Sequence, residues 1–350
     1  MKMRVFELKS LLLSLLLIAA TGFSLHAQDA RKEYSESYNI SRGTTLSTDT
    51  KYSHVSLLTW DKDAVEILAV VEVKASSDAK AQEALEKVEV KIGQSGNIVS
   101  LSTEFDDGWS RNVQTRIDIT VSVPSYINLE VDNSYGDLFI QEISGLALLD
   151  LKYSNFKADI LSRGNENPVN RLDLAYSNGT IGKAGRMDLN LAYSELEITS
   201  SDMLNMESKY SKLSGEKAGS IQTEGAYDKY FFDEIGSFSA ALKYSGLKFG
   251  ILRKGLQLES SYTNVSIGSL SGGFDKLDAS LSYGNIEVDV EEGASFKLEA
   301  ESKYGKVNVA QEGKLNRMKE SATMKVSGSV GSNPRAEMNL ITRYGNIDIR

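Results

Sequence analysis

One tyrosine recurs along most of this chain at nearly constant spacing. From Tyr135 onward, successive copies stand 18, 23, 17, 17, 17, 17, 18, 21, 21 and 40 residues apart. The copies are Tyr135, Tyr153, Tyr176, Tyr193, Tyr210, Tyr227, Tyr244, Tyr262, Tyr283, Tyr304 and Tyr344. A period of about 20 residues is the length of one solenoid coil, in which each repeat contacts only its neighbours. The spacing therefore predicts a stack of coils.

Apolar and polar residues alternate on both sides of each tyrosine, and the alternation shifts phase just after it. In LNLAYSELEI (189–198), leucines occupy positions −4 and −2 relative to the tyrosine, and Leu and Ile occupy +3 and +5. Alternation is typical of β-strands, and the small polar pair at +1 and +2 is typical of a bend. Because the tyrosine shares the parity of the leucines, we expect its ring to stack inside the core. An outward platform for sugar rings is the alternative.

These patterns predict an all-β fold, a parallel β-solenoid with coils of 17–23 residues over 129–350. Parallel stacking with crossovers favours a right-handed winding. Residues 28–128 are predicted to form a β-rich head with one helix near 78–87, capped by a serine of the Ser-Ser-Asp segment (76–78). The 23-residue interval contains a polar insert (162–171), predicted to be a loop. The 40-residue interval contains either a coil without its tyrosine or an inserted hairpin near 314–334.

The first 27 residues are predicted to be a signal peptide. Lys2, Arg4 and Lys9 accompany an apolar run over 11–20, and Leu-His-Ala (25–27) resembles a signal-peptidase site. An uncleaved anchor is the alternative. We therefore expect an exported protein, in the periplasm or at the cell surface, with no membrane span in the mature chain.

Charge and residue types narrow the possible chemistry. Of 39 basic and 48 acidic residues, three and one lie in the first 27, which leaves a net charge of about −11 and disfavours nucleic acid as a partner. The chain has no cysteine, and its only histidines are His26 and His54. A zinc site built on several histidines and a cysteine nucleophile are thereby excluded. His54 falls at a corner position, so we expect no catalytic residues and no cofactor.

An acidic column is predicted at position −3 of the first coils. It includes Asp132, Asp150 and Asp173, with Lys152 nearby at position −1. The simpler interpretation is a solvated, charged wall that resists edge-to-edge aggregation. The alternative is a calcium site formed by the three aspartates, because carboxylate oxygens are preferred calcium ligands.

Several segments resemble a known group of secreted bacterial β-strand-repeat proteins called "putative adhesins", a domain of unknown function. Tyrosine motifs carry the resemblance, together with two head segments. They are KYSHVSL (51–57), SYGDLFI (134–140), SYGNIEV (282–288), KYGKVNV (303–309), RYGNIDI (343–349), TWDKDAVEI (59–67) and ASSDAKAQEALEKVEV (75–90). The resemblance implies a β-solenoid exported by a Gram-negative bacterium. It brings no established activity and no catalytic residues.

The sequence thus favours a non-enzymatic structural or adhesin-like protein that binds a cell-envelope polymer, a glycan or another protein. A polysaccharide-active solenoid enzyme and an envelope-stress or signalling accessory are the alternatives. The loop at 162–171 and the last coil at 338–350 are the first candidates for contact residues. The chain stops on a strand, so we expect an open sheet edge there unless an insert covers it.

Overall fold

The computed structural model describes residues 28–109, 113–164 and 166–350, so the predicted signal peptide lies outside the described residues. The amino-terminal part contains one helix among seven strands. In chain order these are β1 (Gln28–Asn39), β2 (Thr45–Lys51), β3 (His54–Trp60), β4 (Ala64–Ala75), α1 (Asp78–Glu86), β5 (Val88–Ser95), β6 (Ile98–Phe105) and β7 (Gln114–Pro124). The helix lies where the sequence predicts it. The Ser77 side chain accepts a hydrogen bond from the Lys80 amide, and Ala81 and Leu85 are buried.

The repeat array follows in strands that are longest in its middle. They are β8 (Asn128–Ser134), β9 (Asp137–Ile143), β10 (Ala147–Lys152), β11 (Asn155–Leu161), β12 (Asn170–Ala175), β13 (Asn178–Ala192), β14 (Glu195–Lys209), β15 (Lys212–Ala226), β16 (Lys229–Lys243) and β17 (Gly246–Ser261). The final strands are β18 (Asn264–Leu270), β19 (Lys276–Ser282), β20 (Ile286–Val290), β21 (Phe296–Lys303), β22 (Val307–Val309), β23 (Gly313–Glu320), β24 (Thr323–Val330), β25 (Ala336–Arg343) and β26 (Ile347–Ile349).

Each coil has two strand segments, one before its tyrosine and one after it. Segments before the tyrosine pair in parallel with their equivalents in the next coil, as Leu189 does with Met206. Segments after the tyrosine do the same, as Ile181 does with Ile198. The two series form two walls, here called the pre-tyrosine wall and the post-tyrosine wall. Their inward residues, at positions −4, −2, +3 and +5, form one continuous apolar core, which confirms the parallel β-solenoid.

The first coil of the stack is formed by β2 and β3, before the chain enters the head. β2 pairs with β8, and β3 pairs with β9, both in parallel. The head strands β6 and β7 pair with the other sides of β2 and β3 and close this end of the stack. Residues 45–60 therefore belong structurally to the coils. The division of the chain at residue 129 stays a prediction.

The two predicted irregularities in the spacing have separate causes. A loop leaves the core between Leu161 and Asn170, at the bend opposite the tyrosine corner. The 40-residue interval contains the predicted hairpin and not a coil without its tyrosine. Its strands β23 and β24 are antiparallel, and β24 also pairs with β21.

The end of the chain lies inside the stack and not at its edge. β25 pairs with both β19 and β21, and β26 pairs with both β20 and β22. The prediction of an open edge at residues 338–350 is therefore wrong. The coil of Tyr304 is the outermost one, and the hairpin covers β21. Within the described ranges, no helix has both the length and the apolarity to cross a membrane.

Candidate binding surface

The most extensive surface feature is a row of stacked tyrosines at the corner where the two walls meet. We call it the tyrosine column. In spatial order it contains Tyr52, Tyr135, Tyr153, Tyr176, Tyr193, Tyr210, Tyr227, Tyr244, Tyr262, Tyr283, Tyr344 and Tyr304. Neighbouring ring centroids lie 4.6–5.2 Å apart. With coils about 4.8 Å apart, the column runs for roughly 50 Å.

The prediction that these rings fill the core is wrong. The side chains from Tyr135 to Tyr344 are 39–53% exposed, whereas Leu189 and Ile198 of the same repeat are buried. All twelve tyrosines have a positive φ, between 51° and 64°. This left-handed conformation reverses the alternation at the corner, so position 0 points outward and position +1 points inward. The sequence pattern alone does not reveal this reversal.

Stacking of the tyrosine rings offsets the free-energy cost of the left-handed backbone at this corner. Roughly 1–2 kcal/mol per residue is the typical penalty for a non-glycine residue in the left-handed region. A stacked aromatic pair contributes about 0.5–1.5 kcal/mol beyond its buried area. The two terms are similar in size, so the stack offsets much of the strain that each corner introduces.

The inward residue at position +1 forms a second, buried ladder at a place where the sequence predicts only a bend. Ser154, Ser177 and Ser194 are almost completely buried. Each donates its hydroxyl to the carbonyl two residues earlier, as Ser177 Oγ does to Ala175 O at 2.8 Å. Ser177 and Ser194 also accept a hydrogen bond from the amide of the equivalent residue in the preceding coil, as Ser177 Oγ does from Ser154 N at 3.0 Å. The ladder satisfies the buried polar groups of the corner.

Asp228 replaces the serine in one rung of this ladder. It is 2% exposed and accepts hydrogen bonds from Ser211 N at 2.8 Å and Ser208 Oγ at 2.9 Å. The buried Tyr230 hydroxyl lies 2.7 Å from Ser208 Oγ. Burial raises the pKa of Asp228, although these donors oppose the shift. Burial and the Asp228 charge raise the pKa of Tyr230. Small residues at position −2, such as Gly225, leave the space that Tyr230 fills.

A shallow groove runs beside the tyrosine column on the pre-tyrosine wall. Its volume is about 720 Å³, and it crosses five coils, from Asp150 to Ala226. Ala175 and Ala192 stand at position −1 between Lys152 and Lys209, and Ala226 stands beyond Lys209, so the floor is low at these three coils. Its far side is lined by position −3, namely Asp150, Asp173, Asn190, Glu207 and Glu224. The groove therefore combines apolar floor patches with side chains that donate or accept hydrogen bonds.

The proposed calcium ligands do line up, but they do not form a cluster. Asp150 is in register with Asp132 and with Asp173. Asp150 is paired with Lys152 at 2.9 Å, and Asp173 with Arg171. Partial desolvation, followed by the charges of Asp150 and Asp49, raises the pKa of Asp132. In the ranges that the structure describes, no group of three or more His, Cys, Asp or Glu could hold a metal ion, so the calcium hypothesis gains no support.

The one histidine in the described residues lies on the exposed corner. His54 Nδ1 is 2.9 Å from Asp137 Oδ2, and both side chains are about half exposed. Asn155 donates to the other oxygen of Asp137 at 2.9 Å. These residues stand at position +2 of three adjacent coils and form a surface polar row.

The fold and its corner define a class of protein: a parallel β-solenoid with an external tyrosine column and an internal serine ladder. The chain belongs to the Toastrack DUF4097 family, whose model matches residues 44–350. No protein with a curated description matches the sequence.

Solved structures of similar proteins come from bacteria of more than one genus. One is titled a putative adhesin from Bacteroides fragilis, with 10% identity, a TM-score of 0.30, and coverage of 91% of this chain and 97% of that chain. Another is titled a putative cell adhesion protein from Clostridium sporogenes, with 12% identity, a TM-score of 0.20, and coverage of 91% and 99%. A third is titled a putative lipid binding protein from Parabacteroides distasonis, with 9% identity, a TM-score of 0.31, and coverage of 73% and 94%.

Proposed function

We propose that this chain is an exported, non-enzymatic, adhesin-like β-solenoid that holds an extended polymer along its pre-tyrosine wall. The observation that carries the proposal is the groove beside the tyrosine column, which continues across five coils. A groove of this length and low depth suits a chain-like ligand lying along the solenoid axis better than a small molecule, which typically needs an enclosed cavity.

The side chains that line the groove are suited to binding a polymer rich in hydroxyl groups. A row of acceptors at position −3 runs parallel to the row at position −1, in which Ala175, Ala192 and Ala226 provide apolar patches and Lys152 and Lys209 provide donors. The acids are spread one to a coil, and Asp150 and Asp173 already pair with bases. This arrangement suits binding more than acid–base catalysis, which needs two carboxyl groups placed across one bond.

Export is proposed from the sequence of the first 27 residues. If cleavage occurs before Gln28, the mature protein isolated from its own cells should have the mass of a chain that starts at Gln28. Protease treatment of intact cells would then separate a surface location from a periplasmic one.

Co-sedimentation with insoluble polymers tests the binding proposal. We expect the wild-type protein to pellet with at least one of chitin, cellulose and peptidoglycan sacculi. Ala192→Arg fills the floor of the groove and should reduce the pelleted fraction. Thr180→Arg is the matched control, because Thr180 is an exposed strand position on the post-tyrosine wall. Equal pelleting of both variants, or no pelleting by the wild type, would contradict the proposal.

A further inference from the structure

The faces of most rings in the tyrosine column are unavailable to a ligand. Tyr210, for example, stacks against Tyr193 at 4.9 Å and Tyr227 at 4.6 Å, with interplanar angles of 16° and 11°. The C–H bonds of a sugar ring stack on the negatively charged face of an aromatic ring. A tyrosine ring with both faces covered presents only its edge and its hydroxyl group to a ligand, so the column as a whole is not a platform for sugar stacking.

Tyr304 is the exception, because it ends the stack. Tyr344 covers one of its faces at 4.8 Å, and no further aromatic ring of the described chain stacks on the other. Its side chain is 53% exposed, the highest value in the column. This position follows directly from the insertion of the last coil beneath the coil of Tyr304.

The inserted hairpin forms a pocket beside this outer face. The turn between β23 and β24 is held against the corner by a hydrogen bond from Tyr304 N to Ala322 O at 2.8 Å. The resulting pocket has a volume of about 520 Å³. It is lined by Tyr304, Glu301, Lys303, Met318, Glu320 and Lys325, together with the turn. The turn residue Ser321 has a φ of 51°, a conformation more typical of glycine.

The ammonium group of Lys303 also lies over the ring of Tyr304, at a longer distance than the stacked Tyr344. The Nζ atom of Lys303 lies 5.5 Å from the ring centroid. Lys209 takes the equivalent position at 5.6 Å from Tyr210, and both faces of that ring are covered by neighbouring tyrosines. Because Lys209 holds this distance from a ring whose two faces are both covered, the same distance places Lys303 obliquely to its ring and leaves room on the outer face of Tyr304.

The charged side chains of the pocket are balanced in number, two acidic and two basic. Glu301 and Glu320 line it together with Lys303 and Lys325. Within the described part of the chain, Glu301, Glu320 and Lys325 make no ion pair and no side-chain hydrogen bond. Two carboxylates and two ammonium groups favour a neutral ligand that both donates and accepts hydrogen bonds, because an ionic ligand would meet a like charge.

We propose that this pocket binds one pyranose ring of a neutral glycan. The C–H face of the sugar lies on the outer face of Tyr304, and its hydroxyl groups bond to Glu301, Glu320 and Lys325. The inference rests on the proposed function, since it assigns the polymer to the glycans. It adds a second contact point on the same wall, beyond the groove between Asp150 and Ala226.

Calorimetric titration with cellotetraose, chitotetraose, mannotetraose and xylotetraose tests this site. We expect at least one probe to bind the wild-type protein. Tyr304→Phe keeps the ring face and should retain the affinity. Tyr304→Ala should lower it about tenfold, the equivalent of one lost aromatic stacking contact. Tyr283→Ala is the matched control, because it removes a tyrosine from within the column. Circular dichroism confirms that each variant is folded.

Two results would overturn the inference: Tyr304→Ala binds a probe as well as the wild type does, or no tetrasaccharide binds the wild type. If the wild type still pellets with an insoluble polymer and Ala192→Arg does not, the proposed function stands while the terminal site fails. If neither the tetrasaccharides nor the insoluble polymers bind, both fail.

Discussion

Tyr210 illustrates how a surface residue stabilises this fold. It lies between two rings and has a φ of 51°. Replacement by alanine removes two stacking contacts and keeps the backbone strain, so we expect Tyr210→Ala to cost about 1–3 kcal/mol. Tyr210→Gly loses the same contacts but relieves the strain, which is worth roughly 1 kcal/mol. Urea unfolding should therefore show glycine to be better tolerated than alanine.

The control for this comparison is an ordinary strand position. At Thr180, which is exposed in an extended segment, glycine should be less stable than alanine by about 0.5–1 kcal/mol. If Tyr210 showed the same order as Thr180, the left-handed corner would be in doubt.

Asp228 makes the stability of the protein depend on pH. Burial raises its pKa in the folded state, so the folded protein binds this proton more tightly than the unfolded chain. The contribution of Asp228 to the free energy of unfolding is most favourable below the ordinary carboxyl pKa of about 4. This contribution is lost as the pH rises through the raised pKa of the folded state. Asp228→Ser restores the usual rung of the ladder. We expect the variant to be more stable at neutral pH, by on the order of 1 kcal/mol.

Denaturant unfolding of the wild type and of Asp228→Ser, measured from about pH 4 to neutral pH, checks the prediction. The difference in the free energy of unfolding should shrink as the pH falls, because protonation removes the buried charge from the wild type. A difference that is constant with pH would show that the Asp228 carboxylate is not destabilised by burial.

At the scale of the element, close stacking of the coils depends on glycine at the corners where position +1 is Gly136, Gly284, Gly305 or Gly345. A Cβ on Gly345 would lie 1.8 Å from Gly284 O, although neither glycine has a positive φ. We expect Gly345→Ala to force the coils apart and cost about 3 kcal/mol. Gly246 is the control, since a Cβ there has nothing within 4 Å. Gly246→Ala should change the melting temperature little, whereas similar shifts for both variants would contradict the close approach.

The elements themselves were largely predictable from sequence. The helix has a capping serine and helix-forming residues, and each coil has the alternation of a strand. These are local properties, which the neighbouring residues largely determine. The direction of the tyrosine was not predictable in this way, because one residue in a left-handed conformation reverses the parity of everything that follows it.

At the scale of the whole molecule, the order of coils in space differs from their order in sequence. Residues 337–350 form an interior coil with a neighbour on each side. A chain ending at Ala336 would leave β19 and β21 without their shared partner, so we expect a large loss of stability and rapid proteolysis. Deletion of the hairpin, residues 313–330, uncovers only the outermost coil and should be milder. Thermal unfolding and limited proteolysis of both variants would rank them, and the reverse order would contradict the interior placement.

The sequence by itself determined the repeat, the strands of each coil and the core positions −4, −2, +3 and +5, because alternation and period are written in neighbouring residues. Only the tertiary structure decided which way the tyrosines face, what the position +1 residues bond to, and where the last coil inserts. These outcomes depend on contacts between residues far apart in the chain. Ser177 bonds to Ser154, and Tyr344 stacks between Tyr283 and Tyr304. The candidate sites lie in this second group, since a groove across five coils and a pocket under a hairpin exist only once the coils are stacked.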